Sequence, residues 1–440
     1  MAYRDLRNVF FCIVVLSLFL LSCKTSGPGL FGKKSPHDQY SDRLSNAGLR
    51  STALGTSWFK AAEESLSTAL TIKVPYKETG YFAAERPTAA GFRFDALRGQ
   101  KLTITIERKP TTNFTLYVDL WRSEPGKPEP KHIASADTLV YSIQHEVNEN
   151  SQYLLRVQPE LLSSGEYTIT IVAGPSLAYP IKAPGKNHIK SFWGADRDGG
   201  ARKHEGVDMF AARRTPVVAA ADGRVTRVSE TAIGGKVVWL RVKDRDYTLY
   251  YAHLDSQLVT GGQEVRTGDT LGLMGNTGNA RTTAPHLHFG IYTFNGPLDP
   301  LAFIQPMETI PEPSSTGLVG KLVRSDDGKL FEEPLNRSAT YTVEANTLLR
   351  IDAALSNWFR VRLPNGKPGF LKSGSVSDIG KPLKNLAVKN GAPLLDRPDS
   401  LAAKKSYIPP GESVSILGNF EQYYFVRTAE DTTGWLTKMN

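Results

Sequence analysis

Three short clusters of histidine and aspartate constrain this chain more than any other feature. They fall within 85 residues and read His204-Glu205-Gly206-Val207-Asp208, Ala252-His253-Leu254 and His286-Leu287-His288. Side chains alternate between the two faces of a strand, so residues of equal parity share a face. His286 and His288 are therefore expected on one face of a strand. His204 and Asp208 share a face in a strand or a helix, and the intervening Gly206 favours the extended form.

The residue types in these clusters are those that bind zinc. Zinc takes imidazole and carboxylate ligands at about 2.0–2.2 Å, and a catalytic site combines three protein ligands with a water. The candidate ligands are His204, Asp208, His253, His286 and His288. Five candidates exceed three ligands, so two histidines remain for proton transfer. The other histidines stand alone and are expected to be ordinary surface or core residues: His37, His132, His145 and His188.

The clusters resemble the motifs of the lysostaphin-type (LytM-like) zinc endopeptidases, which cut peptidoglycan peptides. That family's pattern is H-x-x-x-D, then A-H-L, then H-x-H. The connecting segments Gly268-Asp269-Thr270-Leu271-Gly272 and Gly275-Asn276-Thr277-Gly278 match it as well. The resemblance covers residues 188–305. One departure is Gly290, which stands where many members carry an acidic residue.

The resemblance implies a peptidase domain over residues 180–305 that binds Zn²⁺ through His204, Asp208 and His288. It places His253 and His286 beside the bound water, where they share the roles of base and oxyanion stabiliser in an order that stays open. The implied reaction is hydrolysis of a peptide bond in a peptidoglycan stem or cross-bridge. The alternative is a non-catalytic wall-binding or amidase-activating protein on the same fold. Such relatives usually lack some ligands, whereas here all five positions are filled.

Residues 1–22 have the pattern of a lipoprotein signal peptide. Arg4 and Arg7 precede an apolar run over residues 9–21 that is too short to span a bilayer comfortably. The run ends in Ser22-Cys23, which resembles a lipobox and implies that Cys23 carries the lipid. The expected location is the cell envelope, on the periplasmic side of the outer membrane or displayed at the surface. A plain signal peptide or a short anchor helix is the alternative.

The composition restricts which classes of partner and which types of metal ligand are expected. The chain has two cysteines, and Cys12 lies in the predicted signal peptide while Cys23 is the predicted lipid site. The mature chain would then have no thiolate ligand, so zinc must bind histidine and carboxylate. The formal charge of +9 suits an anionic envelope polymer or lipid headgroups. Nucleic acid is not expected as a partner because no basic helix or aromatic-basic module is present. The oligomeric state stays open.

The pattern outside the clusters predicts a mainly β chain. Residues 23–65 are polar and are expected to form a tether, disordered at first, with a short helix over 57–70. Residues 66–175 alternate apolar and polar positions between turn signals, as at Leu102, Ile104 and Ile106, which predicts a β-sandwich accessory domain. The strands expected after residue 216 are short and close in sequence, which predicts an antiparallel sheet for the peptidase domain.

Residues 317–440 contain an internal repeat with an offset of 65 residues. Trp358-Phe359-Arg360-Val361-Arg362 matches Tyr423-Tyr424-Phe425-Val426-Arg427, and Gly369-Phe370-Leu371 matches Gly434-Trp435-Leu436. The units, over 317–379 and 383–440, resemble tandem bacterial SH3-like barrels, which implies binding to cell-wall peptide. For Phe370 and Trp435 a core position is expected instead, because they occupy the same repeat position.

Overall fold

A computed structural model describes residues 34–183, 188–334 and 341–438 of the chain. Strands dominate these residues, as the sequence pattern predicts. The predicted signal peptide and the predicted lipid site Cys23 lie outside the described residues. Among the helices that the structure describes, none is both long enough and apolar enough to cross a membrane.

The N-terminal unit consists of two helices followed by strands. The helices are α1 (Pro36–Asn46) and α2 (Ala53–Ser67). The strands are β1 (Leu70–Thr71), β2 (Tyr76–Phe82), β3 (Ala90–Ala96), β4 (Gln100–Lys109), β5 (Leu116–Arg122), β6 (Lys131–Ser135), β7 (Ser142–Glu146), β8 (Ser151–Pro159) and β9 (Gly165–Pro175).

The strands of this unit form two facing sheets. One sheet has the order β1-β3-β8-β5-β6, and the other contains β2-β9-β4-β7. Leu102, Ile104 and Ile106 on β4 are buried and meet Phe92 and Leu155 of the opposite sheet in one core. Period-two alternation places every second side chain on the inner face, which explains why these positions are apolar.

The two helices replace the disordered tether that the polar composition predicted, and from Pro36 onward that prediction is wrong. Ser35 and Thr52 cap the helices by accepting hydrogen bonds from backbone N–H groups, and Pro36 occupies the first turn. Trp58 is 1% exposed, and its indole Nε1 donates to the carbonyl of Pro159 at 2.8 Å. The helix expected over 57–70 is present but begins at Ala53. A few buried aromatic contacts therefore suffice to order a mostly polar segment.

The central unit is built on one large antiparallel sheet. Its strands are β10 (Ile189–Ser191), β11 (Asp196–Arg197), β12 (Arg202–Lys203), β13 (Val207–Phe210), β14 (Pro216–Val218), β15 (Gly223–Thr231), β16 (Gly235–Val242), β17 (Tyr247–Gln257), β18 (Glu264–Val265), β19 (Thr270–Met274), β20 (His286–Thr293) and β21 (Gly296–Leu298). A short helix, α3 (Leu301–Ile304), follows. The sheet order β10-β13-β20-β17-β16-β15-β18 places β20 between β13 and β17.

The C-terminal unit begins with β22 and contains the internal repeat. Its strands are β22 (Leu322–Ser325), β23 (Lys329–Leu330), β24 (Tyr341–Thr342), β25 (Leu348–Leu355), β26 (Trp358–Arg362), β27 (Pro368–Lys372), β28 (Val376–Asp378), β29 (Lys384–Ala387), β30 (Ala392–Leu395), β31 (Lys404–Ile408), β32 (Ser413–Phe420), β33 (Tyr423–Arg427) and β34 (Thr433–Thr437). Strands β32, β33 and β34 lie 65 residues after β25, β26 and β27.

The first repeat is fused to the sandwich. Strand β25 pairs with β2 at Thr79–Ala354 and Gly80–Ala353, so one sheet runs from the sandwich into the repeat. Phe370 is buried in the sandwich core, and Trp435 is buried between the repeats, as expected for core aromatics. Among the described strands, no pairing closes either repeat into a barrel, and the SH3-like assignment stays a prediction.

Candidate metal and catalytic site

Three neighbouring strands carry the predicted site on one face. Asp208 on β13 lies opposite His288 on β20, and His288 lies opposite Ala252 on β17. Residues directly opposite in an antiparallel pair point to the same side, so Asp208, His286 and His288 share a face. The prediction that His286 and His288 project together is confirmed by this register. The opposite face is apolar, with Leu287 and Phe289 fully buried in the core of this unit.

His204 reaches the same face from the loop that precedes β13. The loop passes so close to β20 that a Cβ added at Gly206 would lie 2.8 Å from Cε1 of His288 and 2.5 Å from the carbonyl oxygen of Phe289. Glycine is therefore needed at this position for the loop to approach the strand. The extended form expected around Asp208 is present in β13, while His204 itself lies outside the strand.

The donor atoms of His204, Asp208 and His288 form a nearly equilateral triangle. Nε2 of His204 lies 2.9 Å from Oδ1 of Asp208 and 3.0 Å from Nδ1 of His288, and the remaining edge is 3.0 Å. A tetrahedral ion with ligands at about 2.0–2.2 Å needs edges of roughly 3.3–3.6 Å, so a small outward movement accommodates zinc. Within the described ranges, this is the one group of three His, Cys, Asp or Glu side chains with converging donor atoms.

Hydrogen bonds on the far side of the triangle fix the orientation of two of these side chains. Nδ1 of His204 donates to the carbonyl of Phe192 at 2.8 Å, which leaves the lone pair on Nε2. The other carboxylate oxygen of Asp208, Oδ2, accepts a hydrogen bond from Arg197 at 2.8 Å, and Arg197 also donates to Ser191 at 2.6 Å. Partners of this kind orient metal ligands and set their tautomers. The donor set and its surroundings therefore suit a zinc ion.

His253 and His286 form a second pair beside the triangle. Their ring centroids are 4.9 Å apart, and the His253 ring lies 6.0 Å from that of His288. Nδ1 of His253 donates to the carbonyl of Thr277 at 2.9 Å, and Nδ1 of His286 donates to that of Ala284 at 2.9 Å. A carbonyl can only accept, so in the neutral form of each ring Nε2 holds the lone pair, and neither Nε2 has a partner among the described residues.

The backbone at His253 explains how this residue reaches the site. Regular alternation would turn His253 away from the face that carries Ala252, its neighbour. His253 instead adopts φ 62°, in the left-handed region, and the pairing of β17 with β16 shifts register at this point. A left-handed residue of this type is uncommon and tends to occur where function requires a special orientation.

Burial and neighbouring charges shift the acidities in the site. Burial, and then the charge of His286, lowers the pKa of His253 to about 4. Burial also lowers the pKa of His288, although Asp208 opposes this change. Burial alone would raise the pKa of Asp208, but the hydrogen bonds to His204 and His288 hold it well below its usual range. The carboxylate is therefore ionised and the His253 ring neutral at neutral pH.

The histidines line a groove with a volume of about 1140 Å³. Trp239, Tyr250 and Tyr292 form an aromatic wall, with ring centroids 4.3 Å apart for Trp239–Tyr250 and 5.3 Å apart for Trp239–Tyr292. A Cβ at Gly290 would lie 2.8 Å from the Tyr292 ring, so the missing side chain at this position makes room for that ring. The glycine that stands where many family members carry an acidic residue therefore leaves space for the Tyr292 ring in the groove wall.

Sequence reasoning missed the residues that hold the ligands. Arg197 and Ser191 lie in the segment before His204, in no recognisable motif, and only the fold brings them to Asp208. Thr277 lies in the Gly-Asn-Thr-Gly segment that matches the family pattern, but the sequence alone does not show which groups it hydrogen-bonds. Its hydroxyl accepts from the N–H of Lys236 and donates to the carbonyl of Leu254, and its carbonyl accepts from His253.

Comparison with known proteins finds similarity to a peptidase family over part of the chain. Residues 202–300 match the family model of Peptidase family M23. The curated relatives of the chain include an uncharacterized metalloprotease of Haemophilus influenzae, 33% identical over 41% of this chain and 35% of that protein. They also include the peptidoglycan DD-endopeptidase ShyC of Vibrio cholerae, 40% identical over 21% of this chain and 20% of that protein.

These relatives share only part of their length with this chain. The lipoprotein YgeR of Escherichia coli is 35% identical over 26% of this chain and 43% of its own length. The chain thus spans between a fifth and about two fifths of these relatives' lengths. Among solved structures, the catalytic domain of lysostaphin from Staphylococcus simulans is 31% identical, covering 27% of this chain and 92% of that one, with a TM-score of 0.25.

Proposed function

We propose that this protein is a zinc-dependent endopeptidase that hydrolyses peptide bonds in peptidoglycan stems or cross-bridges. The observation that carries the proposal is the convergence of His204, Asp208 and His288 on one point, with His253 and His286 beside them in a groove. The M23 family model over residues 202–300 supports it. So does the name of the ShyC relative, a peptidoglycan DD-endopeptidase.

Zinc bound by His204, Asp208 and His288 would polarise a carbonyl group and make water acidic enough to act as a nucleophile near neutral pH. Asp208 supplies the negative charge of the ligand set, and Arg197 holds its second oxygen. Three ligands leave room for water and substrate, as catalytic sites require.

His253 and His286 act on protons in this proposal. Each offers the lone pair of Nε2 because its Nδ1–H is fixed on a backbone carbonyl. One ring takes the proton from the attacking water, and the other, when charged, stabilises the oxyanion or protonates the leaving amine. The aromatic wall of Trp239, Tyr250 and Tyr292 offers an apolar surface for the peptide.

The proposal extends to the location of the enzyme. A lipid on Cys23 would anchor it in the cell envelope, and a relative named as a lipoprotein, YgeR, supports this placement. In a host with acylation machinery, Cys23→Ala should abolish labelling by a fatty-acid analogue. Persistent labelling in that variant would mean that the anchor lies elsewhere.

Incubation of the purified protein with peptidoglycan tests the function. New amine ends identified by mass spectrometry would show both cleavage and the bond that is cut. A chelator should abolish cleavage and added zinc should restore it. Asp208→Ala removes the anionic ligand and should lose the zinc together with the activity. Intact peptidoglycan in the presence of stoichiometric zinc would instead favour a non-catalytic wall-binding role.

A further inference from the structure

A second cleft lies between the sandwich and the C-terminal repeats. It consists of two adjoining cavities of about 380 Å³ and 310 Å³, which share Arg86, Arg350 and Arg362 in their walls. Arg86 comes from the loop between β2 and β3, whereas Arg350 and Arg362 come from β25 and β26. The cleft shares no lining residue with the groove that holds the histidines.

The positive charges of this cleft are incompletely neutralised. The guanidinium of Arg86, half-buried, makes no hydrogen bond or ion pair with any residue that the structure describes. Arg350 lies 3.5 Å from Glu85, whose side chain is 66% exposed, and such a contact contributes little. Arg362 is neutralised by Asp352, with Nη2 and Oδ2 2.7 Å apart.

The remaining charged groups around the cleft do not supply the missing anion. Arg360 is bound to the buried Glu78, and Glu332 lines the first cavity without an ion pair to Arg86 or Arg350 among the described residues. Asp396 lines the second cavity, where it lies 3.6 Å from Arg397. Burial, and then the charge of Arg350, lowers the pKa of Arg86, although Asp352 and Glu85 oppose this change. A half-buried cation without a partner is unfavourable, and an anionic ligand between Arg86 and Arg350 would relieve that cost.

We propose that this cleft binds a carboxylate of a peptide between the guanidinium groups of Arg86 and Arg350. Guanidinium groups recognise planar carboxylates through paired N–H donors, which a lysine would not offer. The cavities have the size of sites that take small ligands or short peptides. Arg397, paired with Asp396, and Lys405 line the second cavity. The proposal rests on the proposed function, in which the peptide is a wall stem peptide with free carboxylates.

The experiment measures binding to the full-length chain in the presence of a chelator, so that the peptide stays intact. The probe is a disaccharide-peptide fragment of peptidoglycan with free carboxylates, titrated by calorimetry. The comparison ligands are the same fragment with amidated carboxylates, and inorganic phosphate. The variants are Arg86→Gln and the double variant Arg86→Gln/Arg350→Gln. The control is Arg266→Gln, an exposed arginine in a turn of the central unit.

The double variant should raise the Kd for the free fragment by roughly tenfold or more, because it removes charged hydrogen bonds to the ligand. The amidated fragment should bind the unaltered protein as weakly as the free fragment binds the double variant. The Arg266→Gln control should bind the free fragment as tightly as the unaltered protein does. Equal affinity in all proteins would overturn the proposal. Arginine-dependent binding of phosphate, without discrimination between the two fragments, would overturn the assignment to a peptide carboxylate.

Folding and catalysis are measured separately. A thermal melt in the same buffer checks the fold, and the single variant Arg86→Gln decides the outcome if the double variant does not fold. Cleavage of a soluble peptide by the zinc-loaded protein tests the proposed function alone. Arginine-dependent binding without cleavage would refute the peptidase and keep the carboxylate site, whereas cleavage without such binding would refute the carboxylate site.

Discussion

Two buried charged clusters in this molecule differ in whether their hydrogen-bond acceptors already have donors. In the groove of the central unit, His204, Asp208 and His288 direct their donor atoms at one another, and the triangle contains acceptors that a cation would satisfy. At the junction of sandwich and first repeat, Glu78 already has its partners. Its carboxylate accepts from Tyr76 at 2.6 Å, from Tyr167 at 2.7 Å and from Arg360 at 2.9 Å.

The difference separates a site from a structural network. A set of converging acceptors is stable only with a metal or with extra protons, so it indicates binding. A carboxylate enclosed by three donors is complete, so it indicates a structural role and pins one element against another. Burial and charge alone would not distinguish the two clusters, whereas the balance of donors and acceptors does.

The largest effect is expected from the two histidines beside the proposed metal ligands. His253→Ala and His286→Ala should each lower turnover by about 10²–10⁴-fold, because each removes a ring that the proposed function assigns to proton transfer. Zinc should stay near one per chain, measured by elemental analysis, because the triangle is intact. His145→Ala in the sandwich is the control and should change neither quantity. Loss of zinc in His286→Ala as complete as in His288→Ala would place His286 among the ligands.

A substitution in the Glu78–Arg360 network should lower the stability of the fold and leave zinc binding unchanged. Arg360→Met leaves Glu78 buried without its cation and should lower the free energy of unfolding by about 3–5 kcal/mol. Urea denaturation measures this change, and zinc content should stay constant. The double variant Glu78→Gln/Arg360→Met should recover part of the loss. An unchanged stability in Arg360→Met would show that the network is not structural.

Substitution of Arg197 tests whether zinc binding depends on the hydrogen bond that Arg197 donates to Asp208. Arg197→Gln removes the guanidinium from Oδ2 of Asp208, and we expect zinc affinity to fall by about 10–100-fold, as for other residues that orient ligands. Competition with a chromophoric chelator measures the affinity. Arg224→Gln, an exposed arginine whose Nε lies 4.0 Å from Glu264, is the matched control. Equal zinc affinity in both variants would mean that Asp208 is held without Arg197.

The smallest effect is expected for the pH dependence of stability that arises from the buried carboxylate of Asp119 in the sandwich. Burial alone would raise the pKa of Asp119, but His132 and the bound Arg156 lower it to about 2. Because the folded pKa is depressed, the stabilisation is present above the ordinary pKa of about 3.9 and is lost as pH falls through about 2.

This loss is measurable as a change on the order of 2 kcal/mol. Urea denaturation of chelated protein between pH 5 and pH 2 should show the stability difference between the unaltered protein and Asp119→Asn shrinking with falling pH. A difference that stays constant over this range would contradict the depressed pKa.

The part of the site that follows strand geometry was predictable. His286 and His288 share a face because the two-residue period of a strand is a property of the covalent chain. The same rule fails for His253, whose left-handed φ of 62° turns it toward the face that already carries Ala252. Family resemblance located His253, whereas alternation alone would have placed it in the opposite layer.

The part that depends on distant contacts was not predictable. The helices over 36–67 are polar enough to suggest a disordered tether, and they are ordered by contacts such as that between Trp58 and the Pro159 carbonyl, 101 residues away. Composition describes the local segment and contains no information on such a partner. The sharing of one sheet by β2 and β25 escaped prediction for the same reason, since neither strand has a local signal for its neighbour.

The shared sheet also has a consequence for the order in which the molecule matures. Glu78 and Arg360 are separated by 282 residues, so the sandwich is synthesised long before its counterion. Until then the edge of β2 is unpaired and the glutamate has only its two tyrosines. Contacts between such distant segments form late. The N-terminal unit therefore reaches its final state only after Arg360 has been synthesised, and a chain interrupted before Arg360 leaves the edge of β2 unpaired.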